Sequence, residues 1–155
     1  MLGAAGGVGS LAVQIARSRG ARVIGTVSPR DHGYLRTLGA EPVTYGHGAA
    51  GHVRELAPDG VDAVLDTVGG ALLAATAHAA APGARVASLA DIGAPGVTPV
   101  FCRMDRADLT ALAGLAETGE LHVRIGATYP LERAADAQRA LAAGGTPGKI
   151  VITVG

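Results

Sequence analysis

The residues with the clearest chemical potential stand at the start of the chain, where Gly3-Ala4-Ala5-Gly6-Gly7-Val8-Gly9 runs directly into a segment of helical periodicity. A glycine-rich turn that opens a helix leaves backbone N–H groups free, aims the positive dipole end at an anion, and lets a pyrophosphate approach the main chain. That is the chemistry of dinucleotide binding. Against the pattern G-x-G-x-x-G, Ala4 takes the first glycine position while Gly6 and Gly9 fill the second and third. The loop alone fits a simple stub before an ordinary helix equally well. Further on, Val27-Ser28-Pro29-Arg30 closes an apolar run where a terminal acid would accept the ribose hydroxyls of NAD. Ser28 and Arg30 favour the 2′-phosphate of NADP instead; the alternative for Arg30 is a solvated loop charge. Asp31 reads as the N-cap of the next helix.

Other reactive side chains form no constellation. His32, His47, His52, His78 and His122 are scattered and Cys102 is the sole thiol, so no metal site is expected. Beside Phe101 in a predicted strand, Cys102 reads as a buried structural thiol. Lys149 has no tyrosine four residues before it, which excludes the proton relay of the short-chain dehydrogenases, and Gly148-Lys149 lacks the upstream glycine of a nucleotide triphosphate loop. No general acid or base is assigned.

The elements that must position these residues alternate between helical and strand periodicity. Val8, Leu11, Ala12, Ile15 and Ala16 share one helical face that stops at Gly20. Strands are expected over 22–27, 42–45, 62–66 (buried) and 84–89. Helices are expected over 31–38, 49–56 and 71–81. Residues 97–103 read as an edge strand interrupted by Pro99. A helix over 105–117, an extended segment over 121–128, a helix from about 131 and a final strand over 149–154 complete the pattern.

The glycine loop, Arg22-Val23-Ile24-Gly25-Thr26-Val27-Ser28, Leu38-Gly39-Ala40-Glu41, Asp66-Thr67-Val68-Gly69-Gly70 and Gly148-Lys149-Ile150-Val151, in that order, resemble the medium-chain dehydrogenase/reductases. The chain is most similar to their quinone oxidoreductase-like branch, within the zinc-binding dehydrogenase family. The resemblance implies an α/β fold with a Rossmann-type doubly wound parallel sheet. It implies that Ala5, Gly6, Gly7 and Val8 hold a pyrophosphate, that Ser28, Arg30 and Tyr45 hold the 2′-phosphate of NADP(H), and that Thr67, Val68 and Leu89 face the nicotinamide. Tyr45 can equally end its strand with a packed ring and a wet hydroxyl. Family members of this kind carry hydride from NADPH to a quinone or to an activated alkene or carbonyl.

Only Met1 and Leu2 precede Gly3, so the sheet is expected to lack most of its first strand and to leave unpaired inner edges on both sides. An NADP-binding part over 1–104 and a C-terminal helix-strand tail over 105–155 are expected. In relatives that tail packs on a catalytic domain, and here it is expected to cover the sheet or to stay mobile. The 97–103 edge resembles the strand by which relatives pair across a two-fold axis, which points to a homodimer. A non-catalytic nucleotide-binding or partner-binding module is the alternative function. An enoyl-reductase segment of a larger synthase is a third, for which docking sequences would be expected.

Composition narrows the remaining classes. The chain has 155 residues, 48% of them hydrophobic and 17% charged, with 24 glycines, which suits a globular domain with a sizeable apolar core. Thirteen basic and thirteen acidic side chains cancel, leaving no electrostatic footprint for nucleic acid. No apolar run is long enough for a membrane span and no signal-peptide pattern opens the chain, so the cytoplasm is the expected compartment.

Overall fold

The structure is a computed structural model that describes all 155 residues, the side chain of Ala77 excepted. Its first half alternates helix and strand: α1 (Gly9–Ser18), β1 (Ile24–Val27), α2 (His32–Thr37), β2 (Glu41–Thr44), α3 (Ala49–Leu56), β3 (Val61–Asp66), α4 (Gly70–Ala77), β4 (Ala80–Ser88) and β5 (Thr98–Pro99). All the pairs are parallel, with β1 on β2, β3 on β4 and β4 on β5. Leu2 joins the two groups, since it forms parallel bridges to both Thr26 and Asp66. The strand order is therefore β2-β1-Leu2-β3-β4-β5, a Rossmann-type order in which Leu2 holds the central position.

Backbone contacts of Met1 and Leu2 hold that position. Met1 donates its ammonium to Ile24 O at 2.8 Å, Thr26 N donates to Met1 O, and Leu2 N donates to Leu65 O. Short of Met1 the inner edges of β1 and β3 face a cavity of about 430 Å³ that Val13, Val23, Ile24, Val61, Ala63 and Leu65 help to line. Residues 62–66 read as buried throughout in the sequence; instead Asp62 and Ala63 are exposed, because they face this cavity.

Three apolar clusters hold the helices to the sheet. Val13, Val27 and Leu35 lie under α1 and α2; Val43, Ala49 and Val53 lie under α3; Leu2, Val64 and Leu73 lie under α4. The buried face of α1 differs from the one expected, since Val8 is 48% exposed while Ser10, Val13 and Gln14 are buried. Gln14 is buried because it has a tertiary partner, discussed below. The helix α4 ends earlier than expected, because Val61 N donates to Ala79 O and draws the following residues into the sheet. Only Thr98 and Pro99 of the 97–103 edge pair fully with β4, as a proline at an edge allows. Beyond them Cys102 is exposed and not a buried structural thiol: past Val100, whose N–H reaches Ser88 O, no strand pairing holds residues 101–104 against the sheet.

The second half carries α5 (Arg106–Glu117), β6 (Ile125–Pro130), α6 (Ala134–Ala143) and β7 (Lys149–Thr153). Asp105 caps α5 by accepting from Ala107 N and Asp108 N. The strands β6 and β7 form a separate parallel pair. This segment docks on the first half: Gln14 Oε1 accepts from His122 N at 2.7 Å and Gln14 Nε2 donates to His122 O at 3.0 Å. No helix among the described residues is long and apolar enough to cross a membrane.

Candidate functional site

The glycine loop and the carboxyl ends of β1 and β3 meet on either side of Leu2, the point where the strand order reverses. In open α/β sheets this crevice is where ligands bind. Here it is a cavity of about 860 Å³, within the size range of cofactor sites. The loop folds on itself through Gly6 N to Gly3 O and Ser10 N to Gly6 O. Among the described residues, the N–H groups of Ala5, Gly7 and Val8 have no acceptor within the chain. Gly9 permits this closure, because a Cβ there would lie 2.1 Å from Gly3 O.

Of the residues singled out in the sequence, Ala5, Gly6, Gly7, Ser28, Arg30, Tyr45, Thr67 and Val68 line this one cavity. Val8 and Leu89 lie outside its lining; Leu89 N donates to Asp66 O at the end of the sheet. Tyr45 is exposed at the mouth, with its ring not packed in the core. Thr67 Oγ1 donates to Leu2 O at 2.9 Å, so the wall beside Val68 is tied to the central position of the sheet.

Asp31 does something other than the expected helix capping. Its side chain makes no cap hydrogen bond; it accepts instead from Ser28 Oγ at 2.7 Å, from Arg124 Nη1 at 3.1 Å and from Arg30 Nε at 3.4 Å. Burial by itself would raise its pKa, but the hydrogen bonds from Ser28, Arg124 and Arg30 outweigh that and hold the carboxyl below its ordinary range. With both oxygens engaged and the residue 8% exposed, this carboxylate is not presented to a ligand. Two guanidinium groups around one carboxylate leave the end of the cavity with a net positive charge.

Arg124 was not anticipated. It stacks over Tyr34 at 4.1 Å from the ring centroid while it bonds Asp31. The loop 145–148 was missed as well, although its glycines are the visible signal; it lines the cavity, and Gly145 O accepts from Arg30 Nη2 at 3.4 Å. Through this loop the tail closes one side of the crevice. Gly148 makes that closure possible, with φ +94° and a Cβ position only 2.2 Å from Arg124 O.

An α/β chain with its glycine loop at the switch point of a parallel sheet belongs to the Rossmann-type dinucleotide-fold class. A family model described as zinc-binding dehydrogenase matches residues 38–152. The chain belongs to that family, within the medium-chain dehydrogenase/reductases and on their quinone oxidoreductase-like side. It is 31% identical over 173 aligned positions to the spectinabilin polyketide synthase system protein NorB of Streptomyces orinoci, covering 97% of this chain and 8% of that protein. It is 42% identical over 72 positions to prostaglandin reductase-3 of Bos taurus, covering 44% of this chain and 19% of that one. The quinone oxidoreductase structure from Coxiella burnetii superposes with a TM-score of 0.83 at 27% identity, covering 99% of this chain and 51% of that one.

The family description names zinc, and the donor set here does not fit it. Among the described residues no three His, Cys, Asp or Glu side chains converge. Cys102, the single thiol, is a soft donor without companions.

Proposed function

We propose that this chain binds NADP(H) for an oxidoreductase of the quinone reductase type, which transfers hydride from NADPH to a quinone or to an activated alkene or carbonyl. One observation carries the reading: free loop N–H groups and a net-positive Ser28–Arg30–Asp31–Arg124 cluster sit at two places around one cavity, matching the two anionic groups of NADP. Ala5, Gly6, Gly7 and Val8 hold the pyrophosphate, Ser28, Arg30 and Tyr45 the 2′-phosphate, with the Ser28 hydroxyl turning from Asp31 to donate to it, and Thr67, Val68 and Leu89 the nicotinamide side. Val8 serves through its N–H, which its outward side chain does not obstruct. Asp31, saturated by its partners, does not claim the ribose hydroxyls, and it cancels one of the two guanidinium charges and leaves the other. When bound, the nicotinamide supplies the hydride. The apolar side chains of Val68, Leu72 and Ala75 line the same cavity.

The expected result is tighter binding of NADPH than of NADH, read by nucleotide fluorescence. Arg30→Ala is expected to weaken NADPH about ten- to hundredfold, the range of a lost charge-assisted phosphate contact, with NADH unchanged. Equal affinities in the unmodified chain would remove the NADP assignment.

A second reading is a non-catalytic nucleotide-binding or partner-binding module. The chain spans 51% of the solved Coxiella structure and 8% of NorB, so turnover is to be measured on this chain itself. Quinone-dependent oxidation of NADPH supports the first reading, and nucleotide binding without turnover the second. We further infer a cytoplasmic homodimer joined through the 97–103 edge, where Phe101 is 69% exposed beyond the short β5. Size-exclusion chromatography at high concentration is expected to show a dimer, and a strictly monomeric profile argues against it.

A further inference from the structure

Three groups donate to Asp31, and they are not held alike. Arg124 Nη1 meets Oδ1 at 3.1 Å, whereas Ser28 Oγ at 2.7 Å and Arg30 Nε at 3.4 Å share Oδ2. The Arg30 side chain is 65% exposed and its two contacts, to Asp31 and to Gly145 O, are both at 3.4 Å, so it is free to turn. The Arg124 side chain is 29% exposed and packs on the Tyr34 ring. Its backbone is fixed as well, because Lys149 N donates to Arg124 O and Gln14 clamps His122 two residues earlier. Ser28, Arg30 and Asp31 line the cavity, but Arg124 does not; it reaches the carboxylate from outside that lining. Its partner there is Asp31 and not a ligand.

We propose that Arg124 is the positioning residue that sets the nucleotide preference, by keeping Asp31 paired while Ser28 and Arg30 turn to the 2′-phosphate. This rests on the nucleotide reading above. In that reading Ser28 and Arg30 leave Oδ2 for the phosphate, and a carboxylate on a residue only 8% exposed is costly to leave without a counter-charge. Arg124 is the partner that stays. Without it, Asp31 keeps Ser28 and the guanidinium fork of Arg30 to itself, and its charge repels an incoming phosphate. A freed carboxylate just past β1 is also the acceptor that suits the ribose hydroxyls of NAD. The same aspartate is thus compatible with either cofactor, and a residue 93 positions along the chain decides which. The docking of the C-terminal segment on the first half then has a purpose at the site, since it delivers that residue.

A double-mutant cycle with two nucleotides tests this. Arg124→Met is expected to lower the preference for NADPH over NADH about ten- to hundredfold, the range of a lost charge-assisted contact, chiefly by weakening NADPH. Adding Asp31→Asn is expected to restore NADPH binding, because a neutral amide sets no charge against the phosphate and releases Arg30. Arg124→Lys, which keeps the charge, should retain part of the preference. Urea unfolding of the nucleotide-free chains should show the pair coupled, with Arg124→Met costing less when residue 31 is already Asn. A preference that survives Arg124→Met overturns the proposal, as do unfolding losses that merely add. So does a loss that Asp31→Asn leaves in place, which would put Arg124 on the phosphate itself, or one shared equally by NADPH and NADH, which marks a structural role. Equal affinities in the unmodified chain take down the nucleotide reading instead, and that control tells the two failures apart.

Discussion

Asp66→Ala is expected to destabilise the fold by about 3–5 kcal/mol, the loss expected when several donors, two of them in buried bonds, lose their one acceptor. Asp66 is 0% exposed and is the acceptor for three groups: Val68 N at 2.9 Å, in a partly buried bond, and Gly69 N at 3.0 Å and the Ser88 hydroxyl, in buried ones. Removing it leaves each donor without a partner, at about 1–3 kcal/mol apiece before relaxation. The same carboxylate ties the ends of β3 and β4 together, because Ser88 Oγ also accepts from Ala90 N and Asp91 N. Urea unfolding is the measurement, with a lower midpoint at an unchanged slope. Against a typical domain stability of about 5–15 kcal/mol the loss is large enough to leave a substantial unfolded fraction. It also reaches the site, since Val68 stands on the turn that Asp66 holds. A loss under about 1 kcal/mol would mean that the network is not what fixes this corner.

For the 155-residue polypeptide with a free amino terminus at Met1, stability is also expected to rise as pH increases from 6 to 8. The Met1 ammonium sits beside the central position of the sheet, and burial pushes its pKa from 8.0 down to about 6, with the nearby Asp66 charge opposing part of that push. A folded-state pKa below the unfolded one means that the unfolded chain binds the proton more tightly. The neutral amine favours folding, so its contribution is complete above pH 8 and disappears as pH falls through 6. A depression of this size corresponds to about 3 kcal/mol. Acetylating the terminus removes the titrating charge and keeps an N–H for Ile24 O, so the slope should vanish. A slope that persists after acetylation, or none before it, would refute the assignment. The lowered pKa of Asp31 acts in the opposite pH range: its stabilisation is present above the unfolded carboxyl value and is lost on acidification.

The sequence by itself determined the order of helices and strands, the α/β class and the glycine loop at the head of α1. Helix α3 lies where its periodicity placed it, and Pro99 marked the edge strand correctly. These features are written in short-range terms, in periodicity, glycine and proline, and a run of about ten residues contains the whole signal. Tertiary structure decided what the polar residues do. Asp31 looks like a helix cap until Arg124, 93 residues away, arrives to bond it. Gln14 looks like a solvent-facing position until His122, 108 residues away, meets its amide. Cys102 looks buried until β5 stops two residues after it starts. A side chain's role depends on partners that only long-range packing brings within hydrogen-bond distance, and no local pattern encodes them.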